Sequence, residues 1–125
     1  MTNEKKIILY VDDEAINVEL FKINFKKHFD VLTAYSGHEG LDVLQNQSQV
    51  AAIVSDMKMP RMHGVEFIRE VKSRLPQVPC FILTGYDITP EISDALLNDL
   101  IVKYFQKPMD VPLVLESIIQ VLDPM

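Results

Sequence analysis

The chain reads as a doubly wound α/β sandwich, a five-stranded parallel sheet between two layers made by five helices. Three observations predict it. Five short apolar runs alternate with five amphipathic stretches along 125 residues, as repeated βαβ units do. The first, third and fourth runs are almost continuously apolar, which is how strands buried on both faces look. Asp12-Asp13, Asp56, Thr84 and Lys107 each follow directly on an apolar run, where open α/β sheets bind ligands beyond the carboxyl ends of their strands. A length of 125 residues and 48% hydrophobic content fit one domain over 1–125, with its core at about 6–122.

Taken in order, the predicted strands are KIILYV (6–11), DVLTA (30–34), AAIVS (51–55), CFILT (80–84) and VKYFQ (102–106). The predicted helices span 15–27, 38–46, 64–74, 90–99 and 111–122. Along the first helix, Ile16, Leu20 and Ile23 share one face while Val18, Phe21 and Phe25 lie nearly opposite, so no single stripe holds them all. One face meets the sheet. The other is either a docking surface or is covered by neighbouring helices. Ser36 and Gly37 precede the second helix, Thr89-Pro90-Glu91 opens the fourth with Pro in the favoured first turn, and Asp110 caps the fifth. In the fifth, Val111, Val114, Leu115, Ile118 and Leu122 make a core-facing stripe. Pro124-Met125 is a tail or a point within a longer chain.

Charge and composition exclude several classes. A formal net charge of -6 disfavours nucleic acid as the main ligand, because phosphate-backbone binding needs clustered Lys and Arg. No apolar run approaches a membrane span, and MTNEKK lacks the apolar segment of a signal peptide, so the expected location is the cytoplasm. The single cysteine, Cys80, lies inside VPCFIL and reads as a small core residue, with no disulfide or thiolate site available.

The chemistry sits at the strand ends. Two adjacent carboxylates, Asp12 and Asp13, repel a bare phosphate but suit a hard divalent cation, since Mg²⁺ takes one or two carboxylates plus waters and phosphate oxygens. A solvated acidic loop or a helix N-cap is the plainer alternative. Asp56 faces that pair across the strand ends, and carboxylates packed so closely require a proton or a metal among them. A metal-screened carboxylate can act as a nucleophile on phosphorus; a turn-capping Asp is the simpler role. Thr84 offers a hydroxyl and Gly85 after it leaves space for a close approach, although Thr is also a good strand former. Lys107, before Pro108, can pair with Asp56 at rest and with phosphoryl oxygens during transfer. An X-Pro bond is also where a cis peptide is affordable and can aim the side chain inward.

Together with the stretch Ala34-Tyr35-Ser36-Gly37-His38-Glu39-Gly40-Leu41, these positions resemble the receiver domain of two-component response regulators, from about Lys6 to Leu122. The resemblance implies strand order 2-1-3-4-5. It implies Asp56 as phospho-acceptor, Asp12, Asp13, Asp56 and the backbone carbonyl of Lys58 as Mg²⁺ ligands, Thr84 as switch hydroxyl, Lys107 as the family's lysine and Tyr104 as the switch aromatic. One departure is Leu100-Ile101, where the family often has Gly-Ala, which predicts a reshaped loop after the fourth helix.

The expected reaction is Mg²⁺-dependent transfer of a phosphoryl group to Asp56 from a histidine kinase or histidine phosphotransfer protein, or from a small acyl phosphate. Thr84 and Tyr104 then move and alter the surface of the fourth helix, fifth strand and fifth helix. His28, His38 and His63 lie in no donor motif, so the donor is a separate protein or domain; a downstream partner and a phosphorylation-dependent homodimer are open. Side chains at Lys58 and Tyr86 are expected to tune the phosphoryl lifetime. The alternative is a phosphorylation-independent binding module with the same fold. Turnover of an external substrate is not expected, because an aspartyl-phosphate phosphatase places a second acid two residues after its nucleophile, and here that residue is Lys58.

Overall fold

The computed structural model describes residues 5–47, 49–85 and 88–123. Tyr86 and Pro124-Met125 lie outside them. Ten elements alternate: β1 (Lys6–Val11), α1 (Ala15–Phe25), β2 (Phe29–Ala34), α2 (Gly37–Asn46), β3 (Val50–Asp56), α3 (Gly64–Arg74), β4 (Cys80–Thr84), α4 (Pro90–Leu97), β5 (Lys103–Gln106) and α5 (Val111–Leu122). The strands form one sheet in the order β2-β1-β3-β4-β5, and all four pairings are parallel. The predicted fold class and strand order are therefore the observed ones.

Alternation along each strand divides the core into two layers. Ile8, Tyr10, Val54, Phe81, Leu83 and Phe105 point to the face covered by α1 and α5, packing on Phe21, Phe25, Val114 and Ile118. Leu9, Val11, Ile53, Cys80 and Ile82 point to the other face, covered by α2, α3 and α4 through Leu44, Phe67, Ile68 and Ile92. Cys80 is fully buried, as expected of a core residue, and burial pushes its thiol up to about 12.

The helix starts match their signals. The Ser36 hydroxyl accepts from the Glu39 N–H, Thr89 from Ile92, and Asp110 from Leu113. α3 begins with an N-cap absent from the predicted signals: His63 Nδ1 accepts from the Glu66 N–H at 3.2 Å, and Glu66 accepts in return from the His63 N–H at 3.1 Å, a reciprocal capping box. α1 ends at Phe25, two residues short of its predicted end, and the chain then turns into β2.

The loop after α4 carries Leu100-Ile101 in a tight turn. Asp99 takes a left-handed conformation at φ 59°, which Asp tolerates better than most residues. Leu100 N–H and Ile101 N–H both donate to the Ala95 carbonyl, at 2.8 and 3.3 Å. Ile101 is 3% exposed and fills core volume that a Gly-Ala pair would leave empty.

α1 resolves its two apolar faces. Val18, Phe21 and Phe25 are fully buried, whereas Ile16, Leu20 and Ile23 are 68%, 47% and 58% exposed. Neighbouring helices do not cover the second face. Val18 therefore belongs to the core. No helix among the described residues is long and apolar enough to cross a membrane.

Candidate functional site

The site follows from the same alternation. Asp12 comes two residues after Tyr10, Asp56 two after Val54 and Lys107 two after Phe105, so all three extend the face that packs on α1 and α5. β1 and β3 pair in register up to Val11 opposite Ser55, which sets the next residues, Asp12 and Asp56, side by side.

Their electrostatics are unusual for a small domain. Among the described residues Asp12 and Asp56 are the only buried charged side chains, at 0% and 5% exposure, and charge is rarely buried without a partner. Lys107 Nζ lies 3.2 Å from Asp56 Oδ1 and 3.4 Å from Asp12 Oδ2. Burial, then the Asp12 charge, pushes the Asp56 carboxyl up to about 6, against the lowering pull of Lys107. Burial pulls the Lys107 ammonium down, but Asp56 and Asp12 together outweigh it and leave its pKa raised. The Lys107–Pro108 peptide bond is cis.

Asp13 joins the cluster from the exposed side. One carboxylate oxygen from each of Asp12, Asp13 and Asp56 can be chosen so that all lie within 4.8 Å of one another. Three carboxylates crowd one place and every donor among them is a hard oxygen. That set fits a hard divalent cation. The plainer alternative of an N-cap is not what the acidic pair does, because α1 is preceded by Glu14 with no side-chain cap, while Asp12 Oδ1 accepts from the Glu14 N–H at 3.0 Å.

A cleft of about 670 Å³ opens over these groups, lined by Asp13, Asp56, Lys58, Met59, Gly85 and Lys107 among others. A Cβ on Gly85 would meet nothing within 4 Å, so packing does not demand glycine there; the space faces the cleft. Gly64 is different. Its N–H donates to the Met57 carbonyl at 2.8 Å, and a Cβ would collide with the backbone carbonyl oxygen of Asp56, so glycine lets α3 begin against the end of β3. Lys58 is exposed at the cleft wall.

Thr84 is 1% exposed at the end of β4 and points to the opposite face of the sheet from Asp56, with Ile82. Tyr104 pairs with Ile82 and Thr84 with Gln106, so Thr84 and Tyr104 are diagonal neighbours on one face. Tyr104 is half-buried and lines a second cleft with Leu96, Gln106 and Leu113. The structure thus gathers Asp12, Asp13, Asp56, Lys58 and Lys107 around one cleft and sets Thr84 and Tyr104 beside each other on the opposite face of the sheet. It adds a residue absent from the sequence reading: Tyr10, whose hydroxyl donates to Asp12 Oδ2 at 2.6 Å. The available signal was its position two residues before Asp12 on the same strand face.

This arrangement can hold a cation, present a carboxylate to an electrophile and neutralise developing negative charge with an ammonium. The chain is also similar to known proteins. Residues 8–119 match the response regulator receiver domain family. The chain is 32% identical over 108 residues to the hydrogenase transcriptional regulatory protein HoxA of Cupriavidus necator, covering 86% of this chain and 22% of that protein. It is 30% identical over 105 residues to a chemotaxis protein CheY homolog of Campylobacter jejuni, covering 78% and 81% respectively. The chain therefore spans about a quarter or less of the curated transcriptional regulators it matches. Among solved structures, a CheY-like receiver domain protein of Methanospirillum hungatei superposes with a TM-score of 0.88 at 29% identity, over 97% of this chain and 96% of that one. Fold, family match and the acidic cluster at the strand ends agree: the chain belongs to the response regulator receiver domain family of two-component signal transduction, a signalling module and not a substrate-turnover enzyme.

Proposed function

We propose that this domain accepts a phosphoryl group on the Asp56 carboxylate from a histidine kinase or histidine phosphotransfer protein and relays the change to its α4-β5-α5 surface. The observation that carries the reading is the Lys107 ammonium held between two buried carboxylates, 3.2 Å from Asp56 and 3.4 Å from Asp12. A structural ion pair needs one carboxylate; a second leaves charge that only a cation or a proton can balance.

Asp12, Asp13, Asp56 and the Lys58 carbonyl would hold Mg²⁺, which when bound supplies charge neutralisation for the transferring phosphoryl oxygens. Asp56 acts as nucleophile: a carboxylate oxygen bonds to phosphorus as the P–N bond to the donor imidazole breaks, the bonding pair returning to nitrogen. Lys107 passes from the carboxylates to the phosphoryl oxygens, and the Gly85 side of the cleft leaves them room. Phosphorylation adds about two charges and three acceptor oxygens. The Thr84 hydroxyl turns toward them, and the space it vacates admits Tyr104, which reshapes the cleft between α4 and α5.

The open face of α1, Ile16, Leu20 and Ile23, begins directly after the acidic loop. A donor seated on it would reach the cleft, so this face is the proposed donor-docking surface. The test is intact-protein mass spectrometry after incubation with acetyl phosphate, with and without Mg²⁺, on wild type and Asp56→Ala. One metal-dependent phosphoryl adduct, absent from the variant, is expected. No adduct from folded wild type, with a control receiver labelled in parallel, would favour a binding module that works without phosphorylation.

A further inference from the structure

Tyr10 is a polar group deep in an apolar layer. It is 1% exposed, and its ring stacks face to face on Phe21 of α1, with centroids 4.1 Å apart and planes 5° apart. Phe21 packs in turn on Phe25 at 4.3 Å. Stacking on Phe21 holds the ring in place, and with it the position of the hydroxyl oxygen at its end. That hydroxyl donates to Asp12 Oδ2 at 2.6 Å, within the range of charge-assisted O–H···O⁻ bonds.

The other partners of Asp12 show what this bond adds. Oδ1 accepts from the Glu14 N–H at 3.0 Å, and Oδ2 also receives Lys107 Nζ at 3.4 Å. Lys107 is shared with Asp56, to which it is closer. An ammonium divided between two acids fixes neither orientation well. Tyr10 supplies a neutral donor, so holding Asp12 does not draw on the charge that Asp56 uses. Asp12 is fully buried, so its donors come from the protein.

We propose that Tyr10 is a positioning residue for the divalent cation: its hydroxyl, held in place by the stack on Phe21, fixes the Asp12 carboxylate in the orientation that cation binding requires. This rests on the Mg²⁺ reading of the acidic cluster. Partners that orient a ligating carboxylate govern metal affinity without touching the metal. The hydroxyl also keeps Asp12 in place when Lys107 leaves it for a phosphoryl group.

The experiment is calorimetric Mg²⁺ titration of the unphosphorylated protein, comparing wild type with Tyr10→Phe, which keeps the ring and its stack and removes one oxygen. The expected result is binding weakened by about tenfold, the lower end of the effect of losing an outer partner of a metal ligand. Ile118→Val, in the same layer but remote from the acids, separates positioning from general loosening and should leave Mg²⁺ affinity unchanged. Phe21→Leu keeps the hydroxyl and removes the stack, and an intermediate loss is expected; it carries the test if Tyr10→Phe does not fold. Wild-type binding with unchanged affinity in the informative variant would overturn this inference alone. Absence of Mg²⁺ binding by the wild type would overturn the metal reading and this inference with it.

Discussion

Asp56→Asn tests the electrostatics of the site without any donor or partner. The folded protein raises the Asp56 pKa from 3.8 to about 6, so between those values the native state keeps a proton that the unfolded chain has released. The native state is then the one that binds more protons, and stability falls as pH rises. The contribution is fully present below about pH 4 and is lost as pH passes through about 6. At about 1.36 kcal/mol per pH unit the loss is about 3 kcal/mol, and with Asp56 5% exposed solvent does little to screen it. Asparagine has no such titration. In metal-free buffer, urea unfolding of wild type and Asp56→Asn should therefore diverge by about 3 kcal/mol between about pH 3 and pH 7, with the variant gaining. Mg²⁺ should close much of that gap at neutral pH by stabilising the ionised wild type. Parallel pH profiles in the metal-free state would refute the argument.

Other perturbations address separate parts of the account. Gly64→Ala should destabilise by roughly 1–3 kcal/mol, the usual cost of forcing atoms into packed space, because its Cβ meets the Asp56 carbonyl; thermal unfolding measures it, and an unchanged midpoint would contradict the collision. Leu20→Asp, on the exposed face of α1, should change stability by no more than about 0.5 kcal/mol. It should slow phosphotransfer from a phosphohistidine protein while sparing acetyl phosphate, and equal rates from both donors would count against docking on α1. Tyr104→Ala should leave phosphorylation nearly intact and weaken binding of a downstream partner to the α4-β5-α5 surface; equal loss of both would remove Tyr104 from the switch. Lys107→Met should move the Asp56 titration, followed by side-chain carbonyl NMR, further above 6, because the ammonium is what pulls it down; a downward shift would mean that the ion pair is misassigned.

The strand ends were legible in the sequence for a physical reason. β1, β3 and β4 are apolar on both faces, so a polar residue is conspicuous where the run stops, and Asp12, Asp56 and Thr84 all stand there. Tyr10 was hidden by the same logic, since a tyrosine inside KIILYV reads as one more apolar strand former until its hydroxyl is seen to reach Asp12. The first helix was legible only in part. Its two faces are about equally apolar, and burial is decided by the aromatic stack that Phe21 and Phe25 make with Tyr10, a tertiary choice that periodicity does not contain. His63 was missed as a cap because neutral imidazole accepts a backbone N–H only when its ring is turned correctly, and histidine is not among the usual capping residues. Leu100-Ile101 departs from the family's usual Gly-Ala pair, yet the burial of Ile101 beyond the left-handed turn at Asp99 is a tertiary feature that the departure alone does not contain.

The central claim is that Asp56, and no other acid of the cluster, takes the phosphoryl group in a reaction that needs a divalent cation. Borohydride reduces an acyl phosphate to the alcohol, so a phosphorylated aspartate becomes homoserine and can be located by peptide mapping. After incubation with acetyl phosphate and Mg²⁺, the account predicts homoserine at position 56 and none without the cation. Homoserine at position 12 or 13, or at position 56 to the same extent in EDTA, would contradict it.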